Sequence, residues 1–360
     1  MQALTNAFKI IDQLTDESQA VDAVKAKVLM AGYHHRWHGQ GYKTISTEAE
    51  FRLPIVNPST GRASRTFQQG GKVDGVIEHE GRKYLLEHKT TSEEIGDPNC
   101  TFWSRLAIDS QISMYLLSSW QRCEKLDGVI YDVIKKPTTG LVQLVAGPMK
   151  LPNEKVTRER CLGTIRELKQ FGSYYGIKQP ETRIWDALEA LDRGEKPRES
   201  AGMYSARLSS LVGKDPEKFF QRRLVPRLDG EIVDFARELW DVAKDIGTAR
   251  KESRHYRNSD ACMNWNTPCK YLGICSGHDT PDSSKWIKAP IHPELPSGGD
   301  TDVLTNSRIK TFQTCRRKHY YSYELGIEKV DQEERYALWF GSLMHEALRI
   351  WFDYYKGDDN

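Results

Sequence analysis

The sequence predicts an α/β fold in which a mixed central sheet is flanked by helices. Three observations predict it. Short apolar runs broken by turn residues crowd positions 45–89, a helical stretch and a further strand follow, and the chain then becomes mainly helical.

The elements follow in order. Phe8, Ile11, Leu14, Val21, Val24, Val28 and Leu29 recur at helical spacing, which makes residues 1–35 helical. FRLPIV, RTFQQGGKVDGVI and KYLLEHKT read as strands. The last two are joined at Glu80-Gly81 into a β-hairpin. WSRLAIDSQISMYLLSSW predicts a helix over 103–120, and GVIYDVIKK predicts another strand. Residues 154–252 read as a helical insertion that includes VDFARELWDVAKDI. A cysteine-bearing loop, RNSDACMNWNTPCKYLGICSG, comes next. Residues 278–302 are rich in Pro, Ser, Gly and Asp and read as a linker. The last segment, 303–360, starts a helix with Ser307 as N-cap and ends in a second helix, WFGSLMHEALRIWFDYY. The domain reading is therefore 1–277, a linker over 278–302, and a helical segment over 303–360.

With 360 residues the chain can bury a substantial core. It has no apolar run long enough to span a membrane. Its first residues lack the basic start and apolar core of a signal peptide, so a cytoplasmic location is expected. A formal charge of +2 neither favours nor excludes nucleic acid, because a local groove can grip DNA without global basicity. The seven cysteines, in a reducing compartment, point to metals, clusters or plain burial rather than disulfides.

The hairpin carries charges where apolar residues are expected: Asp74 on its first strand, Glu87 and Lys89 on its second. Where such strands splay, the two carboxylates can converge on a hard cation such as Mg²⁺. Lys89, two residues from Glu87, projects from the same face and can orient water or stabilise developing negative charge. Alone, the pattern is more often that of solvated charges on a half-exposed hairpin. Gln111 and Tyr115 are one helical turn apart, a spacing also met in ordinary packing.

Together these residues resemble the RecB-like branch of the PD-(D/E)XK nuclease superfamily. Gly71-Lys72-Val73-Asp74 resembles its GxxD strand, Glu87-His88-Lys89 its ExK, and Gln111 to Tyr115 its QxxxY helix. Val73 departs from the proline of the family's name, which supplies no ligand. The resemblance implies a restriction-endonuclease-like core with Asp74, Glu87 and the His88 carbonyl as metal ligands. It gives Lys89 the role of catalytic lysine, and makes Gln111 and Tyr115 the groups that position DNA or Lys89.

Cys262, Cys269 and Cys275 are spaced C-x6-C-x5-C, wider than a zinc knuckle. Four thiolates, one of them often remote, commonly hold iron–sulfur clusters. Cys100, Cys123 and Cys161 lack such neighbours and read as buried or inert thiols. The iron–sulfur members of the RecB-like branch, AddB-type and CRISPR-associated nucleases among them, carry three cysteines after the nuclease motifs and one before. The earlier one lies in a helix resembling SRIKTFQTCRRKHYYSYELG, followed by a GxxxH helix resembling Gly341 to His345. The resemblance thus implies a four-cysteine staple of Cys262, Cys269, Cys275 and Cys315 around a 4Fe–4S cluster, with His345 as a further metal ligand.

In this chain that opening comes last. Joining the two ends restores the family's order, which suggests a circular permutant whose former ends meet at PSGGDTD, a connector-like run. The alternative is a truncated tandem protein whose second nuclease domain begins at residue 301. Arg316 and Arg317 can contact phosphates or simply cover a helix end. The implied activity is a Mg²⁺- or Mn²⁺-dependent exonuclease acting on DNA ends or single strands. A stand-alone enzyme of this kind suits a phage or mobile element, and no P-loop motif points to a fused motor. The rivals are an inactive nuclease-fold module that binds DNA and a zinc-stabilised structural protein.

Overall fold

The computed structural model describes residues 1–124, 126–143, 173–175, 177–178, 186, 189–190, 192–195, 197–264, 267–293, 295, 302–330 and 336–356. Two helices open the chain, α1 (Gln2–Leu14) and α2 (Ala20–Trp37). The single helical stretch expected over 1–35 divides between them, because the Asp16 carboxylate accepts from the Ser18 amide at 2.8 Å and caps a new start.

The antiparallel meander β1 (Lys43–Val56), β2 (Ala63–His79) and β3 (Arg82–Thr91) follows. Glu80 and Gly81 join β2 to β3 with φ of 51° and 74°, the two left-handed positions of a tight hairpin turn. Next come α3 (Thr101–Leu106), α4 (Ser110–Gln121) and β4 (Val129–Lys135), with β4 parallel to β3. The helix expected over 103–120 is broken at Asp109, whose side chain caps α4 by accepting from the Gln111 amide at 3.1 Å.

Beyond it stand α5 (Ala201–Lys214), β5 (Phe220–Val225) and α6 (Asp229–Lys251). The helical reading of 154–252 is correct for α5 and α6 and misses β5, which pairs antiparallel with β4. Most of its first part, with Cys161, lies outside the described residues.

The stretch read as a linker is partly built into the fold. Its β6 (Trp286–Lys288) pairs with a later strand, and Trp286, His292 and Leu295 are buried. Residues 296–301 of the expected joint lie outside the described residues. β7 (Val303–Leu304), α7 (Asn306–Thr314), α8 (Arg316–His319), a π-helical turn (Tyr320–Glu324), β8 (Ile327–Lys329) and α9 (Tyr336–Tyr354) complete the chain. The N-cap of α7 is Thr305, not Ser307, because the Thr305 hydroxyl accepts from the Arg308 amide. The one helix expected from Ser307 is interrupted at Cys315, where the backbone turns extended.

The sheet runs β1-β2-β3-β4-β5, with β7 parallel to β2 at Gln68 and Gln69. β1 covers one edge of β2 along its length, so β7 and β3 must share the other edge, end to end. Residues 70–74 lie between them. Alternation sorts β4 between two cores: Val129, Tyr131 and Val133 face α4, α6 and α7, while Ile130 and Ile134 face α1, α2, α5 and α9. The result is a mixed sheet between two helical layers, which fits a PD-(D/E)XK core.

Candidate active site

The β2–β3 ladder ends at Gly75 and Leu86. The next β3 amide directed towards β2 belongs to His88, and it donates to Asp74 Oδ2 at 2.8 Å instead of to backbone. This splay leaves the two hairpin acids close enough to feel each other's charge. Glu87 and Lys89 project from one strand face, with Lys89 Nζ donating to Glu87 Oε1 at 2.5 Å and to Gln111 Oε1 at 3.0 Å. Gln111 Nε2 donates to Tyr115 Oη at 2.8 Å, and Tyr115 donates to the Lys72 carbonyl at 2.8 Å. The two α4 residues are thus an anchored arm that ends on the lysine. From the opposite helical layer α9 brings His345, whose Nδ1 lies 3.7 Å from Asp74 Oδ2.

Two glycines permit these approaches. A Cβ on Gly71 would stand 3.0 Å from the Phe51 ring and 3.2 Å from Tyr115. One on Gly341 would stand 3.2 Å from Thr90 Oγ1, holding α9 off β3.

Electrostatics follow from burial. Glu87 is 2% exposed, and burial, with Asp74 beside it, pushes its carboxyl up to about 7. Burial also raises Asp74. Burial would lower Lys89, but the adjoining Glu87 carboxylate outweighs it and holds the ammonium above its ordinary range. His345, whose side chain is 35% exposed, is held below the usual histidine range by its partial burial and by neighbouring His88.

Whether a divalent cation fits is tested by Glu87 Oε2, which is buried and bonded to nothing among the described residues. An orphaned carboxylate oxygen beside a second acid has the chemistry of a cation ligand. Two carboxylates, a peptide carbonyl and one imidazole suit Mg²⁺ or Mn²⁺. As the side chains stand, no three His, Cys, Asp or Glu among the described residues are gathered at the spacing of a single ion's ligands.

Several neighbours escaped the sequence reading. Thr47–Gly75 and Ala49–Val73 pairing brackets Glu48 opposite Asp74; Glu48 has a φ of 52° and an ion pair with Lys72. Beneath the site, fully buried Asp132 lies 3.1 Å from His88 Nδ1, accepts from Arg222 Nε at 3.1 Å and accepts from Tyr33 Oη. The His88 side chain therefore projects from the face of β3 opposite to Glu87 and Lys89. The only local signal for Asp132 was an acid inside an otherwise apolar strand.

The four cysteines of the proposed staple line one cavity, with Arg257, Tyr271 and Lys318. All four are free thiols, and burial, with Cys269 beside it, raises Cys275. Arg316 pairs with Asp245 at 3.1 Å, and Arg317 donates to the His255 carbonyl. Both arginines thus join α8 to its surroundings, and among the described residues neither is bonded to Asp74, Glu87 or Lys89.

A mixed sheet flanked by helices, with a splayed acid hairpin and a lysine held by a helix, fits a PD-(D/E)XK fold. The family model of the PD-(D/E)XK nuclease superfamily matches residues 303–359, the segment that carries Cys315 and His345. No curated protein and no solved structure matches the chain significantly. No helix among the described residues is long and apolar enough to cross a membrane.

Proposed function

We propose that the chain is a metal-dependent deoxyribonuclease of the RecB-like kind, an exonuclease that hydrolyses phosphodiesters at DNA ends or in single strands. The observation that carries this reading is the continuous hydrogen-bonded series from Glu87 through Lys89 and Gln111 to Tyr115, set beside Asp74 and His345. Three separate stretches of sequence contribute to it, and solvated surface charges would not assemble in this way.

Asp74, Glu87, His345 and the His88 carbonyl would hold Mg²⁺ or Mn²⁺, which supplies Lewis-acid charge and a more acidic bound water. Lys89, fixed by Gln111, presents its ammonium where negative charge develops on the scissile phosphate. Tyr115 keeps Gln111 from swinging away, and either residue can also touch the DNA. Digestion of end-labelled single-stranded and duplex DNA over a series of metals tests this. Lys89→Ala is expected to lose activity by two orders of magnitude or more, the scale of removing one transition-state donor. Equal inertness of wild type and Lys89→Ala would sink the assignment.

A 4Fe–4S cluster on Cys262, Cys269, Cys275 and Cys315 is part of the proposal, in a cytosolic protein whose thiols stay reduced. Their shared cavity supports it. A zinc ion, with bonds of about 2.3 Å, would need its sulfurs within about 3.8 Å of one another. A larger cluster tolerates wider spacing, since each thiolate meets its own iron. Iron and sulfide analysis with the visible spectrum tests this, and a colourless, zinc-loaded protein would refute it.

The proposed permutation, with parts 1–277 and 303–360 joined through 278–302, is supported by β7 completing the edge of β2. It is supported equally by α9 carrying His345 to Asp74 within one chain.

A further inference from the structure

The ends of β3 and β4 hold cationic and hydroxyl groups that the catalytic proposal does not use. Immediately after Lys89, Thr90, Thr91 and Ser92 line a depression closed by Lys136. Lys136 also lines the neighbouring cleft of about 540 Å³, with Lys135, Lys214, Lys218 and a single carboxylate, Asp215. A cleft of this size buries a ligand as large as a nucleotide or two.

Lys135 is paired with Glu94 at 2.6 Å and Lys218 with Asp215 at 2.6 Å. Lys136 and Lys214 have no carboxylate partner among the described residues. The Lys136 ammonium stands 4.3 Å from the centre of the Tyr336 ring, which is 44% exposed on the first turn of α9. Nine residues separate Tyr336 from His345, about 13 Å along the helix. The depression and the cleft share Lys136, and with the ring beside it they form one track whose first residue, Thr90, follows Lys89 along β3.

We infer that this track holds the backbone of a single nucleic-acid strand as it enters or leaves the site, with Lys136 and Lys214 on phosphates and Tyr336 stacked on a base. The inference rests on the nuclease reading for the occupant's identity. Unpaired lysines in a cleft with an exposed aromatic at its rim have the chemistry of a sequence-tolerant single-strand site. Thr90, Thr91 and Ser92, which line the depression with Lys136, add hydroxyl groups to its wall.

The test uses the full chain with wild type, Lys136→Gln/Lys214→Gln and Tyr336→Ala. Binding of labelled oligo(dT) is measured against NaCl concentration in chelator, so that nothing is cut. The double variant should lower the slope of log affinity on log salt by about 1.4, or 0.7 for each phosphate no longer neutralised. Tyr336→Ala should weaken binding roughly tenfold with the slope intact. With metal restored, cleavage of a long strand should fall much further than that of a dinucleoside monophosphate, which is too short to reach the cleft.

Unchanged slopes in variants of an active wild type would overturn the track and leave the nuclease standing. A lysine-dependent slope in a protein that never cuts would keep the track and remove the nuclease. Equal losses on a blunt duplex would overturn the single-strand assignment, and a wild type that binds neither substrate would overturn the track.

Discussion

Replacing Gly71 by alanine probes the arm that fixes Lys89 without replacing any side chain of the proposed site. The new Cβ would lie 3.0 Å from the Phe51 ring and 3.2 Å from Tyr115. Both rings are buried and meet edge to face at 5.9 Å, so neither has free space to retreat into. Overpacking of this kind costs about 1–3 kcal/mol. The alanine recovers roughly 0.5–1 kcal/mol of chain entropy within a strand, leaving a net destabilisation of about 1 kcal/mol. Tyr115 is the softer neighbour in function, because its hydroxyl supports Gln111 and Gln111 supports Lys89. Losing one such hydrogen bond removes about 1 kcal/mol, which corresponds to roughly a fivefold fall in kcat.

Urea unfolding and metal-dependent digestion would be measured for Gly71→Ala, Tyr115→Leu and the double variant. Removal of the Tyr115 ring relieves part of the clash, so the stability cycle should show a coupling of about 0.5 kcal/mol or more. Activity should stay low in the double variant, because the arm is gone. A Gly71→Ala protein as stable and active as wild type, or a strictly additive cycle, would refute the reasoning.

Further outcomes follow from the same contacts. Asp132→Ala leaves the buried Arg222 guanidinium without its carboxylate and should cost about 3–5 kcal/mol, read as a shift of the urea midpoint. Burial alone would raise Asp132, but Arg222 and its other donors bring it down to about 2, below its unfolded value. Its stabilisation, about 2 kcal/mol, is therefore present above about pH 4 and fades as pH falls towards 2. Melts in acid should show this slope, and a chain with Asp132→Asn should show a flatter one. Gly341→Ala pushes the α9 turn against Thr90 and should raise the metal concentration needed for cleavage; an unchanged metal titration would count against His345 as a ligand. Cys315→Ala should lower bound iron and loosen α8, seen as faster amide exchange from Arg316 to Glu324.

Much of the candidate site was legible because its parts are short and local. A lysine two residues from an acid must share its strand face, and two residues four apart on a helix must share a side, whatever the rest of the chain does. Asp74, Glu87, Lys89, Gln111 and Tyr115 were found this way, and the structure joins the last four in one hydrogen-bonded series beside Asp74. Helix interruptions were less legible, since a single side chain decides them: Asp16, Asp109 and Thr305 each redirect a boundary by capping an amide. The stretch 278–302 looked like a linker because polar composition hides the few buried anchors, Trp286, His292 and Leu295, that tie it down.

By itself the sequence determined the alternation of strands and helices, the acid–acid–lysine set and the cysteine spacing, because each depends on periodicity along a few residues. Only the tertiary structure decided that β7 shares an edge of β2 with β3, and that His345 reaches Asp74 from the opposite helical layer. It alone placed Tyr33, Asp132 and Arg222 in one buried knot, and four lysines around one cleft. These meetings join residues many tens of positions apart. The sheet order and helix docking that create them are properties of the packed core, and no local pattern encodes them.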